Sequence, residues 1–308
     1  MTHDDLYLVT GATGKTGAHV VRLLRAEGLR VRALVHGIDE RSAALTELGA
    51  DVVTGDLRDF DDVSSAMAGV TAAYFCYPID PDGLIDATAV FAQAATEAGV
   101  RAVVNMSQIS ARREAKSHAA QNHWLGERLL DRAAFMTTHL RPTFFAEWLA
   151  WQWSRDDDGG VLRLPFGEGR HAPIAAQDQA RVIAAILRNP APHDRQIFPL
   201  YGPVEADHHG IAGEMARVLR QPVRYEPVEI ETFADALRAQ GYGEFLIQHL
   251  TNVAQDYRDG IFAGTNNLVE VITGSPAQTV AQFTASNRDA FRGEGQRASW
   301  RRVREHVG

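Results

Sequence analysis

Leu6-Tyr7-Leu8-Val9-Thr10-Gly11-Ala12-Thr13-Gly14-Lys15-Thr16-Gly17 decides the reading of this chain: a short apolar run breaks into three evenly spaced glycines, and an amphipathic stretch follows. Strand, glycine turn and helix in that order build a pocket for a dinucleotide pyrophosphate. Gly11 is expected to allow the sharp turn, Gly14 to let backbone approach phosphate without a Cβ, and Gly17 to let the helix pack closely. Thr13, Lys15 and Thr16 complete the candidate phosphate site, where the helix aims its free N–H groups and positive end at the anion. Gly14-Lys15-Thr16 also looks like the tail of a P-loop, but that motif needs a glycine where Val9 stands.

Outward from this stretch, as far as about Arg141, short β-branched or apolar runs alternate with helical ones, which predicts parallel strands joined by crossover helices. Candidate strands are Tyr7-Thr10, Val31-Val35, Asp51-Thr54, Ala72-Cys76, Ala102-Met106 and Thr137-Arg141, with helices beginning near Gly14, Glu40, Phe60, Gly83 and Ala119. The fold expected is α/β, a Rossmann-type doubly wound parallel sheet with a smaller C-terminal α+β substrate lobe. After Pro142 the rhythm changes to an aromatic helix, an acidic glycine-rich turn at Asp156-Gly160, a hairpin-like piece through Val161-Pro173, then helices with isolated strands. The domains predicted are residues 1–142 for the dinucleotide, with later segments free to return to it, and 143–308 mainly for the substrate. Ligands of doubly wound sheets bind beyond the carboxyl ends of the strands, so the substrate is expected between sheet and lobe.

Composition narrows the classes. The chain has 308 residues, 45% hydrophobic and 23% charged, enough for one large domain with an added lobe and unlike a disordered chain. A formal net charge of -8 argues against a nucleic-acid partner that needs a basic face. Arg292, Arg297, Arg301, Arg302 and Arg304 are concentrated near the end but alternate with acids and small residues, as on a solvated helix. No apolar run approaches the roughly 20 residues of a membrane span, and a polar tail leads straight into the first strand, so no signal peptide is expected. The single cysteine, Cys76, lies in an apolar strand, which fits a reducing, cytoplasmic location. Asp207-His208-His209 reads as a loop before a helix, with no further metal ligand identifiable, so no metal is expected.

Several motifs agree on one family. Thr10-Gly11-Ala12-Thr13-Gly14 with Gly17, Val31-Arg32-Ala33-Leu34-Val35, Gly55-Asp56-Leu57 and Leu140-Arg141-Pro142-Thr143-Phe144-Phe145 resemble the NmrA-like branch of atypical short-chain dehydrogenases. Tyr201-Gly202-Pro203, a helix Ile211-Leu219 and a strand Val223-Val228 look like its continuation. The resemblance implies the fold and a nicotinamide dinucleotide. It implies less about activity, since the family holds quinone and dye reductases and also proteins that bind the nucleotide to report redox state.

Active short-chain dehydrogenases carry a Tyr-x-x-x-Lys, and aligning on Glu127 puts Ala119 at the tyrosine and His123 at the lysine. Ordinary ketone chemistry needs a positioned acid and is therefore disfavoured. Quinones and cationic dyes accept hydride into a delocalised system and can take protons from water. A histidine at this helical position resembles the quinone and triphenylmethane reductases, so His123 is the first catalytic candidate, against a packed helix histidine beside Trp124. Ser107 stands where relatives keep a catalytic serine and is the second, as a group that orients a substrate oxygen or as a turn residue.

An NAD-selective site usually places an acid at the end of the second strand, and Leu34-Val35-His36-Gly37 has none. His36 can bond a ribose or assist a 2′-phosphate, and Arg41, unless it is a plain surface residue, adds charge. NADP is therefore expected, with NAD the alternative. Asp56 and Leu57 resemble the pair that brackets the adenine, though Asp56 equally suits a loop cap. The backbone of Cys76, Tyr77 and Pro78 should pass under the cofactor, with Tyr77 over the ribose or plugging the core. By resemblance Phe144 and Phe145 lie beside the nicotinamide. Pro142 and Phe144 are assigned to the cofactor, and Phe145, Trp148 and Trp151 to a planar aromatic substrate, with core packing the alternative for the tryptophans.

The function expected is NAD(P)H-dependent reduction of a quinone-like or polycyclic aromatic compound, whose hydroquinone could react with oxygen. A non-catalytic nucleotide sensor with a protein partner is the alternative, and a homodimer stays open.

Overall fold

The computed structural model describes residues 5–80 and 83–292; of the terminal arginines only Arg292 falls inside, in a 3-10 turn where it pairs with Asp289 at 2.9 Å. In chain order the first elements are β1 (Leu6–Val9), α1 (Lys15–Ala26), β2 (Arg30–Val35), α2 (Glu40–Glu47), β3 (Asp51–Thr54) and α3 (Phe60–Met67). Next come β4 (Ala72–Phe75), α4 (Leu84–Glu97), β5 (Ala102–Met106), α5 (His118–Leu130) and β6 (Met136–Pro142). Strand and helix positions agree with the sequence expectations to within a residue or so at each end.

After β6 run α6 (Glu147–Trp151), β7 (Trp153–Asp156), β8 (Gly159–Leu164), α7 (Ala176–Arg188) and β9 (Gln196–Leu200). Then follow α8 (His208–Leu219), β10 (Val223–Pro227), α9 (Ile230–Ala239), α10 (Glu244–Arg258), α11 (Leu268–Thr273) and α12 (Val280–Ser286). The chain divides into two compact units, the first built from residues up to Pro142 with Ala176–Leu200 and Leu268–Ser275. The second takes Thr143–Ala175, Tyr201–Asn267 and the described residues from Pro276.

The first unit is a seven-stranded sheet in the order β3-β2-β1-β4-β5-β6-β9, every pairing parallel. Its order reverses between β1 and β4, and at that switch point a doubly wound sheet opens its ligand crevice. β1, β4 and β5 are buried at every position, which is why they read as unbroken apolar runs. Leu6 and Leu8 of β1, with Phe75 and Val103, join Val63, Met67, Phe91, Ala95 and Leu130 from α3, α4 and α5 in one core. α1 packs on α7. Phe75 and Phe91 meet at 4.4 Å between ring centroids, a tilted pair that seats α4 on the sheet.

In the second unit β7 and β8 form an antiparallel hairpin and β10 adds to β8 in parallel. The hairpin thus begins before the Val161-Pro173 stretch expected for it, and Asp157-Asp158 is its turn. Trp153 explains the shift. Read as part of an aromatic helix, it opens β7, is wholly buried, and lies so close over Gly160 that a Cβ there would be 1.9 Å from its ring. The second correction is Asp207-His208-His209, where Asp207 caps α8 by accepting the Gly210 N–H at 2.7 Å and His208 already belongs to the helix. Among the described residues no helix is long and apolar enough to cross a membrane.

Candidate functional site

Gly11 leaves β1 with φ at +56°, a left-handed conformation that favours glycine, and the Gly14 N–H donates to its carbonyl at 2.9 Å. Gly17 is held by a tighter demand. A Cβ there would stand 2.2 Å from the Gly11 carbonyl oxygen, so the first turn of α1 rests directly on the loop. At Gly14 the same atom would be 3.0 Å away. Gly14 is the N-cap of α1 and has no side chain to accept the first N–H groups, and the first turn carries no acid. α2 and α3 differ, because Asp39 and Asp59 cap them. Of these three helices, α1 alone offers its N–H groups and positive end to an anion, with Lys15 exposed, Thr13 half-buried and Thr16 buried around it.

At the switch point the ends of β1 and β4 are tied. Thr10 Oγ1 donates to the Cys76 carbonyl at 3.1 Å and accepts the Cys76 N–H at 2.8 Å. Burial pushes the Cys76 thiol up, away from thiolate chemistry. Tyr77 is half-buried against the first-unit core, and its hydroxyl leaves no room for a Cβ at Gly83, 2.0 Å away, just before α4. Pro78 is exposed.

At the ends of β2 and β3 His36 is exposed, and Asp56 and Leu57 are half-buried. Asp56 accepts the Arg58 N–H at 2.8 Å and a guanidinium bond at 3.0 Å, and that hydrogen-bonded cation holds its carboxyl below the usual range. Its own N–H donates to Asp62 at 2.9 Å, so the loop-cap geometry is present. Arg41 does not stand free for a phosphate: its Nε donates to Asp39 at 2.8 Å and its Nη2 at 2.5 Å. Sequence reasoning passed over Asp39 and Arg58, although both arginines follow an aspartate by two residues.

β5, α5 and β6 converge on Glu127, which is fully buried. Ser107 Oγ donates to it at 2.6 Å, while Arg141 grips both carboxylate oxygens at 2.8 and 2.5 Å. The Ser107 proton is thereby committed to Glu127, and its hydroxyl has only acceptor capacity left. His123 lies one helical turn before Glu127, on the same face of α5, and is 8% exposed. Gln108 adds a group the sequence reading left aside. Its Oε1 accepts from Ser110 at 2.7 Å, while its Nε2 is buried without a protein partner.

In the second unit the segment after β6 is pinned by Ile174, whose N–H donates to Phe144 at 2.9 Å and whose carbonyl accepts from Ala146 at 2.9 Å. Phe145 stacks with Trp148 at 6.1 Å, Phe144 meets Trp148 edge-on at 5.4 Å, and Trp151 follows at 6.3 Å from Trp148. Phe144 is buried, whereas Phe145, Trp148 and Trp151 keep exposed edges. Behind Phe144 lie His171, His208 and Tyr257, all fully buried, with His171 and His208 4.7 Å apart. Among the described residues no group of three or more histidines, cysteines or acids is placed to hold a metal ion.

The sequence profile of the NmrA-like family matches residues 3–261. The chain belongs to the NmrA-like family. An NAD(P)H azoreductase of Xenophilus azovorans is 30% identical over 288 residues, covering 93% of this chain and 99% of that protein. The fold is that of the NADPH-dependent quinone oxidoreductase QOR2 of Escherichia coli, solved with NADPH (TM-score 0.78, 22% identity, 91% of this chain and 99% of that one). It is equally that of Citrobacter sp. triphenylmethane reductase, solved with NADP(H) (TM-score 0.76, 21% identity, 92% and 99%). In this NmrA-like chain Gly11, Thr13, Gly14, Lys15, Thr16, Gly17, Cys76, Tyr77 and Pro78 all follow β1 or β4, on either side of the switch point, while Ser107 and Glu127 are joined by a hydrogen bond.

Proposed function

We propose that this NmrA-like protein is an NAD(P)H-dependent oxidoreductase that reduces a quinone-like or polycyclic aromatic substrate by hydride transfer. The observation that carries the reading is the uncapped, acid-free start of α1, set on Gly11 at the switch point of the sheet. The cofactor, NADP or NAD, supplies the hydride when bound. Gly11, Gly14 and Gly17 would hold its pyrophosphate at the start of α1, His36, Asp56 and Leu57 would hold its adenosine, and Cys76, Tyr77, Pro142 and Phe144 would hold its nicotinamide.

A quinone becomes a hydroquinone by gaining one hydride and one proton. His123 delivers or positions that proton, because the Ser107 hydroxyl already donates its hydrogen bond to Glu127 and is left as an acceptor. Phe145, Trp148 and Trp151 offer planar apolar surface to the ring and exclude water from the hydride path. The similarity to an azoreductase over nearly the whole chain supports a delocalised acceptor. The hydroquinone then serves as the reductant of O2, one oxygen atom entering its ring and the other leaving as water, so that a hydroxylated quinone forms without flavin or metal.

The test is an anaerobic assay of purified protein with NADPH, and separately NADH, against quinones, azo dyes and triphenylmethane dyes. One nucleotide should be oxidised per quinone or triphenylmethane dye reduced and two per azo bond cleaved, with hydroxylated quinone product appearing only when air is admitted. Tight nucleotide binding with no oxidation by any acceptor would replace the reductase with a nucleotide sensor.

A further inference from the structure

Two segments beyond β2 and β3 share one construction, Asp39-Glu40-Arg41 and Asp56-Leu57-Arg58. In each, the aspartate accepts the backbone N–H of the arginine two residues on, at 2.9 and 2.8 Å, and the guanidinium folds back onto the same carboxylate. Asp39 is held further. It accepts the Ser42 N–H at 3.1 Å, and the Ser42 hydroxyl accepts the Asp39 N–H at 2.8 Å, a closed capping box at the start of α2. The charge of each arginine is therefore met by its own aspartate, and Glu40, Asp59, Asp61 and Asp62 open the adjacent helices with further negative charge.

In dinucleotide folds the group about 20 residues beyond the glycine turn meets the adenosine ribose. Here that places the Asp39-Arg41 clasp, with His36, at the 2′ position. A 2′-phosphate has to share the Arg41 guanidinium with Asp39, which already takes bonds from Nε and Nη2, and it meets the Asp39 carboxylate as well. A ribose diol meets neither obstacle.

We infer that Asp39 sets the choice between NADPH and NADH by holding Arg41, so that the wild-type protein takes both nucleotides with little discrimination. The inference rests on the dinucleotide reading above and names the residue that governs its specificity. Asn and Ser cap helices about as well as Asp, so Asp39→Asn and Asp39→Ser remove the charge and leave α2 its cap.

The experiment is calorimetric titration of the full chain with NADPH and with NADH. Both variants should raise the affinity ratio in favour of NADPH by about tenfold, since one repelling charge is lost and one cation is released. Adding Arg41→Gln to Asp39→Asn should remove most of that gain. Variants whose ratio stays within about twofold of wild type, or moves towards NADH, overturn the inference and leave the proposed reductase standing. A wild-type protein that binds neither nucleotide overturns both. Circular dichroism of each variant confirms that α2 is retained, and Asp39→Ser carries the test if Asp39→Asn does not fold.

Discussion

Gly17 is the residue at which sequence and chemistry meet most directly. Replacing it with Ala would put a Cβ 2.2 Å from the Gly11 carbonyl oxygen, so α1 must lift off the loop. Nucleotide affinity is expected to fall at least tenfold, and stability by about 1–3 kcal/mol; titration and urea denaturation measure the two. His123→Ala should lower kcat for quinone reduction by about a hundredfold, the lower range for a general acid, with KM changed far less. Equal loss in kcat and nucleotide affinity would instead mark His123 as a packing residue. Glu127→Gln tests the buried node between β5, α5 and β6. It weakens two charge-assisted bonds from Arg141 and leaves that cation underpaired, so a loss of about 2–3 kcal/mol in denaturant unfolding is expected. An unchanged midpoint would contradict the role given to Glu127.

At the scale of elements, β1 to β6 were legible because each is an apolar run between helices, three of which open on Asp39, Asp59 or Ser117 as caps. β9 was not, since Gln196-Ile197-Phe198-Pro199-Leu200 carries a proline and pairs only with β6 at the sheet edge, where a missing N–H is tolerated. The glycine loop could be read because its chemistry is backbone chemistry, local in sequence. The Ser107-Glu127-Arg141 node could not, because nothing local in the chain shows which hydroxyl a glutamate twenty residues away will take.

The start of α8 gives a pH prediction of its own. Burial pushes His208 down to about 3 and His249 of α10 to about 4, and holds His171 well below its usual 6.5. A folded-state value below the unfolded one means that the unfolded chain binds more protons in between. Stability is then full above about pH 6.5 and drains as pH falls towards the folded values. Between pH 7.5 and pH 5.5, His208 and His249 should each cost about 1.4 kcal/mol, and denaturation midpoints at the two pH values measure it. His208→Phe should flatten the dependence by one histidine's share. A midpoint that does not move with acid would mean that these rings are not buried neutral.

For the whole molecule, one unit contains the glycine loop, the switch point and the Glu127 node, and the other contains the aromatic segment from Phe144 to Trp151. The proposed reaction carries hydride from a nicotinamide to a delocalised acceptor. It is tested by single-turnover reduction of a quinone with NADPH deuterated at C4, on one face and then the other, because product release cannot mask the transfer. A severalfold slower reaction is expected for one face and normal speed for the other. Equal rates for both faces and the unlabelled nucleotide would contradict hydride transfer at this site.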